Sequence, residues 1–334
     1  MMTQTALKAQ DTNHEHMAVS ISSRIKDLLV SNAMALAMVV VLIYFTVANR
    51  QFATAGNLET VLIAAAPFAL IALGQTLVIL TGGIDLSVGS VIALSAMSGA
   101  IVAKANPSNV WLGVAVAVIV GLAAGGVNGA LVSLLKVPPF VATLAMLTTA
   151  SGLAYVVGNG APINGIPAAY GTLANMKLLG IQLPVWIMIA LTVILALLMR
   201  RTTYGTRVYA VGGNAHAARL AGISVGRVQF SVYAISGALA GLAGALLSSR
   251  VISAAPTLGS GYELDAIAAV VIGGASLMGG RGTIRGTVVG LLLIQTLNNG
   301  LDLLLVPSYW QSVIKGALIA IAVAVDVFVS RSKK

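Results

Sequence analysis

This chain has no cysteine and little charge of either sign. Without a thiol it can build neither a disulfide framework nor a thiolate metal site. Only 8% of its residues are charged, against about 25% in an ordinary soluble domain, so a water-facing globular surface is excluded. The three histidines, His14, His16 and His216, are too scattered to suggest a metal cluster. Neither GxxxxGK[ST] nor GxGxxG occurs in a strand-to-helix setting, and no nucleophile-base set is identifiable. The expectation is therefore a chain with no catalytic residues, no bound cofactor and no metal.

What is present is apolar. Hydrophobic residues make up 58% of the 334 positions and the mean hydropathy is +0.97. The apolar blocks recur near the length of about 20 residues that crosses a hydrocarbon core as a helix. They fall at about Ala33–Ala48, Thr60–Leu80, Val88–Ala103, Val110–Leu135, Phe140–Val157, Leu183–Met199, Phe230–Ser248, Leu264–Met278, Thr287–Leu297 and Tyr309–Val329. The pattern predicts an all-α, polytopic inner-membrane helical bundle of about ten transmembrane segments, the eighth and ninth blocks short enough to be broken or re-entrant.

The net charge of +10 sits in connections and at the ends, where anionic lipid and the orientation rule account for it and nucleic acid is not required. Arg200, Arg201, Arg207, Arg219 and Arg227 share one polar connection with no acidic residue among them. Ten crossings put this connection, Arg281, Arg285 and both termini on the cytoplasmic side. The organisation expected is a cytoplasmic segment over 1–32 with an amphipathic piece at Val19–Val30, a membrane domain over 33–329, and a tail over 330–334. The membrane domain includes the basic loop 200–229, which carries a short helix at about Asn214–Ala221.

Several polar positions stand out within apolar surroundings. Thr81-Gly82-Gly83-Ile84-Asp85-Leu86-Ser87 is too glycine-rich and polar for lipid-facing helix, and Asp85 is its only charge. At membrane depth a carboxylate must pair, meet water or be capped by donors. Asp85 therefore caps the helix that follows, borders a substrate route, or pairs between helices. Gln75, Asn128, Gln295, Asn298 and Asn299 offer donors and acceptors that suit a neutral polyhydroxylated solute or, equally, bonds between helices. Of these, Gln75, Asp85, Asn128, Asn298 and Asn299 are the candidates for translocation or gating. Glu263 and Asp265 read as boundary charges at a helix start. Gly121, Gly125 and Gly129 clear one helical stripe for a close neighbour. Gly125–Gly129 and Gly286–Gly290 also share a faint pattern of the kind internal repeats leave.

Three stretches together resemble the ribose-type permeases of bacterial ABC sugar importers. They are Thr81 to Ser90, Gly212-Gly213-Asn214 followed by Ala217-Ala218-Arg219-Leu220-Ala221-Gly222-Ile223, and Ala266 to Gly280 leading to Gly282-Thr283. The resemblance covers nearly everything from the first span to the last. It implies a noncatalytic permease subunit of an ATP-driven monosaccharide importer, with ribose or a related sugar as cargo. The partners it implies are a second permease copy or a homologous permease, two cytoplasmic ATP-binding domains that take ATP and magnesium, and a periplasmic sugar-binding protein. It also implies a coupling role for the loop residues Asn214, His216, Ala217, Ala218, Arg219 and Gly222. His216 replaces the family's glutamate there, so a carboxylate contact to the ATPase does not carry over. A bulky residue at Gly222 is expected to uncouple hydrolysis from transport. The rivals are an ion-coupled secondary transporter for a small polar solute and a noncatalytic membrane scaffold.

Overall fold

The computed structural model describes residues 33–331, so the expected cytoplasmic segment over 1–32, its Val19–Val30 piece and the last three residues lie outside it. Thirteen α-helices account for most of the described chain. In order they are α1 (Ala33–Ala48), α2 (Ala55–Leu80), α3 (Val88–Ala105), α4 (Trp111–Ser133), α5 (Pro139–Val157), α6 (Thr172–Asn175), α7 (Leu183–Arg201), α8 (Thr203–Gly213), α9 (Ala215–Leu220), α10 (Val225–Val251), α11 (Tyr262–Ile272), α12 (Ile284–Leu303) and α13 (Ser308–Arg331). Two two-residue strands, β1 (Lys177–Leu178) and β2 (Ile181–Gln182), form a small antiparallel hairpin between α6 and α7.

Among the described residues, length and composition alone account for fewer than the ten crossings expected. Six helices, α2, α3, α4, α5, α7 and α10, are long and apolar enough to span a bilayer. The eighth apolar block is where the difference is clearest. It forms the 11-residue α11 and then a glycine-rich turn, because Gly273, Gly274, Gly279 and Gly280 interrupt the helical path. At 1.5 Å per residue α11 is roughly 16 Å long, about half of a hydrocarbon core.

Two helices form the centre. Nearly all of α2 from Ala65 to Leu80 is buried, and α10 presents buried residues along most of its length. By contrast α5 and α7 leave most of their apolar surface exposed, as lipid-facing or partner-facing helices do. The stripe expected on α4 is real: a Cβ at Gly121 or Gly125 would collide with the α10 backbone at Gly237 or Tyr233, and one at Gly129 would come within 2.8 Å of the Phe230 carbonyl. Gly121 and Gly125 face Gly237 and Gly241, so there the helices meet backbone to backbone and gain dispersion contacts that larger residues would forbid.

The two ends of the bundle differ in chemistry. One end gathers Arg200 and Arg201 at the close of α7, the basic α8–α9 connection, and the Arg281 turn. At the other end Lys104 donates to the Asn164 carbonyl at 2.8 Å, and Lys177 pairs with Glu59 at 2.8 Å. Part of the 158–182 connection there packs on α10. Tyr170 is buried against α10, its hydroxyl 3.1 Å from the Ser248 hydroxyl, while the Ser249 hydroxyl donates to the Tyr170 carbonyl at 2.7 Å.

Candidate functional site

The stretch Thr81–Ser87 leaves the end of α2 and turns back into the bundle without forming a helix. Non-helical backbone inside an apolar bundle must have its polar groups satisfied by protein. Here they are. The Gln75 amide, in the orientation that matches both partners, donates to the Asp85 carbonyl at 3.1 Å and accepts from the Asp85 N–H at 3.2 Å. The Thr143 hydroxyl donates to the Ile84 carbonyl at 3.1 Å.

The Asp85 carboxylate, 1% exposed, is gripped from two sides. Ser87 donates to Oδ1 through both its N–H and its hydroxyl, at 2.9 and 2.6 Å, and the Ser236 hydroxyl of α10 donates to Oδ2 at 3.3 Å. Asn128 of α4 donates to the Ser87 hydroxyl oxygen at 2.9 Å. Ser236 lies about 16 Å along α10 from Val225, so this knot sits well inside the bundle. Asp85 thus ties the break to α10, while its bonds to Ser87 are local and no side chain caps the first turn of α3. The Tyr233 hydroxyl and the Asn128 Oδ1 are buried here without a partner. Gly83 is small because Tyr233 occupies the space of a side chain there.

Of the five polar candidates, Gln75, Asp85 and Asn128 converge on this knot and the two α12 asparagines do not. Asn299 exchanges reciprocal amide bonds of 2.8 Å with Asn57 at the start of α2, and Asn298 lies beside it with its oxygen unpartnered. Asn299 thereby holds α12 to α2 near the less basic end. Sequence reasoning missed Ser236, Thr143 and Tyr233, whose types are ordinary in apolar helices and whose spacing carries no signal.

At the basic end the broken stretch meets the loop. Asn214 ends α8 and caps α9, its side chain accepting the Ala217 N–H at 2.9 Å. Ala218 is buried, while His216, Ala217, Arg219, Leu220 and Gly222 are exposed, with Leu220 at 78%. Gly222 closes the helix in a left-handed conformation, φ +81°, with Ile223 N–H donating to the Ala218 carbonyl at 3.0 Å. Nothing lies within 4 Å of a Cβ placed there, so the glycine is required for its backbone angle and not for closeness. In the last turn of α8, Gly212 is packed so tightly that a Cβ would collide with the Leu80 carbonyl. The Gly280 N–H donates to the same carbonyl at 3.0 Å, and the Tyr209 hydroxyl donates to the Gly282 carbonyl at 2.8 Å. The end of α2, the end of α8 and the turn after α11 therefore form one contact.

Glu263 and Asp265 both lie in the first turn of α11, as expected of charges at a helix start, and each also makes a contact beyond that helix. Asp265 is 8% exposed and accepts from Lys315 of α13 at 2.9 Å, and Glu263 lies against the bare backbone of Gly89 in α3. The faint Gly125–Gly129 and Gly286–Gly290 match falls in the last turns of α4 and the first turns of α12, and each set packs on a different helix.

A bundle with interrupted, internally satisfied helices and a short exposed helix docked at one end defines a multi-pass membrane permease. The chain belongs to the family described as branched-chain amino acid transport system, permease component, whose model matches residues 57–323. It is similar to the ribose import permease protein RbsC of Bacillus subtilis, 46% identical over 299 residues that cover 87% of this chain and 91% of that one. The RbsC protein of Escherichia coli K12 is 42% identical over 87% of this chain and 92% of its own. The L-arabinose transport system permease protein AraH of the same organism is 34% identical over 85% of this chain and 86% of its own. No solved structure matches. The chain is a noncatalytic transport component, as its relatives are permeases.

Proposed function

We propose that this permease forms the route of an ATP-driven monosaccharide importer in a bacterial inner membrane, with ribose or a closely related sugar as cargo. The observation that carries the mechanism is the shared contact of Leu80, Gly212 and Gly280, with its 3.0 Å hydrogen bond between α2 and the turn after α11. Force applied to α9 reaches α8, and through Gly212 it reaches the end of α2 and so the Asp85 knot.

In this proposal the basic loop 200–229 faces the cytoplasm, as the orientation rule favours. The exposed face of His216, Ala217, Arg219 and Leu220 docks on an ATP-binding subunit, and two such subunits supply the nucleotide and magnesium. Asn214, Ala218 and Gly222 hold that face in shape. Gln75, Asp85 and Asn128 act as a gate hinge that keeps the break rigid, and Asn298 and Asn299 hold the far end of α12. A second permease copy completes the route, and a periplasmic binding protein delivers the sugar. Nucleotide closure shifts the packing between two states and so changes which side the route faces.

Reconstitution of the permease with its ATPase and binding protein in liposomes tests the proposal. ATP-dependent uptake of D-ribose or L-arabinose, unchanged by ionophores, is the expected result. Uptake that follows an imposed sodium or proton gradient without ATP would select an ion-coupled transporter.

A further inference from the structure

A cavity of about 240 Å3 lies between the first turn of α3, the middle of α5 and the 256–263 turn that leads into α11. Six of its lining side chains carry oxygen: Ser90, Ser151, Tyr155, Thr257, Ser260 and Glu263. Such a concentration is unusual in a chain with 8% charged residues. Ala93 and Leu147 give the cavity an apolar wall. Its floor is made where the first turn of α3 meets the turn before α11 and that helix's own first turn: a Cβ at Gly89 would come within 2.6 Å of the Gly259 carbonyl and collide with the Glu263 carboxylate. Among the described residues Glu263 has no ion-pair partner, and its side chain lines the cavity.

We infer that this cavity is a transient sugar-binding site, with Glu263 as the acceptor for a pair of ring hydroxyls. The inference rests on the importer reading and adds a place and a residue set to it. A carboxylate accepts two hydroxyl protons in a charge-assisted manner, and the surrounding serine, threonine and tyrosine hydroxyls both donate and accept. The apolar wall suits the C–H face of a sugar ring. The volume is below the range of about 300–1,000 Å3 typical of drug-sized pockets, as a single monosaccharide ring requires. The site is separate from the Asp85 knot, yet the 81–87 stretch leads directly into its Gly89 floor. Movement of the break against the 256–261 turn would open or collapse the site, which ties sugar release to the stroke delivered through α9.

Because the chain is free of cysteine, Ser260→Cys introduces a single thiol at the cavity rim. In the assembled transporter in liposomes, its labelling by a charged methanethiosulfonate is measured with D-ribose, L-arabinose, sucrose or sodium chloride added. Whichever monosaccharide the assembly takes up should slow labelling, and sucrose should not. Adding Glu263→Gln, which keeps size and removes charge, should raise the half-protecting sugar concentration about tenfold or more while the ATPase still co-purifies. Thr257→Val should weaken protection in the same direction. Labelling unaffected by a sugar that is transported overturns the site and leaves the importer reading standing. Protection unchanged by Glu263→Gln, or protection by sodium chloride alone, also overturns it. An assembly that takes up neither sugar sinks the importer reading and this site with it.

Discussion

Asp85 is a buried carboxylate whose three hydrogen bonds come from a neighbour in sequence and from a helix 151 positions away. Asp85→Ala would leave the Ser87 and Ser236 hydroxyls without their acceptor in a dry site, at about 1–3 kcal/mol. Asp85→Asn keeps one acceptor oxygen, so its thermal midpoint in detergent should fall less than that of the alanine variant. Equal midpoints for the two would show that the carboxylate does not hold the break. At Gly222 the backbone angle is the constraint. Gly222→Ala should cost about 1–2 kcal/mol of local strain and lower uptake per ATP hydrolysed, whereas Gly222→Asn, a residue that adopts left-handed angles, should retain more coupling. Identical coupling in both variants would sink the conformational account. Within this chain the positive φ at Gly222 adds a constraint of chirality to the expectation about bulk. Gln75, Asp85 and Asn128 were legible as odd residues in apolar blocks. Their convergence was not, because a hydrogen bond between helices leaves no periodic trace in either one.

Helix packing makes its own predictions. Gly125 sits where α4 and α10 touch backbone to backbone, so Gly125→Leu must push the helices apart. Overpacking of this kind costs about 1–3 kcal/mol, and purified protein should lose its sharp melting transition or elute as aggregate. The Lys315–Asp265 pair binds α13 to α11, with side-chain exposures of 27% and 12%. Lys315→Ala alone strands a largely buried carboxylate and should cost about 3 kcal/mol, while the apolar double variant Lys315→Met with Asp265→Leu should recover most of it. A double variant no better than the single one would show that the charges themselves are needed. The stripe of glycines was readable from spacing, since period and residue type both point to close approach. The shortness of α11 was only partly readable: hydropathy continues past Ile272, but positive φ at Gly274, Gly279 and Gly280 turns the chain away.

The whole molecule has a basic end and an opposite end, and its proposed orientation can be checked directly. A single cysteine at Ala221 should react only with a reagent that reaches the cytoplasm, and one at Ala161 only with a reagent applied outside intact spheroplasts. The reverse pattern would place the basic loop outside and remove any contact with an ATPase. Composition alone determined that this is a helical membrane protein, because so few charges cannot clothe a soluble surface and so many apolar blocks must be buried or meet lipid. The glycine and arginine pattern likewise marked the basic loop and the Thr81–Ser87 break. Which polar residues meet was decided only by tertiary structure. Gly212 touches Leu80 and Glu263 touches Gly89 across more than a hundred positions, and such contacts depend on how the helices cross, which no local run of residues encodes.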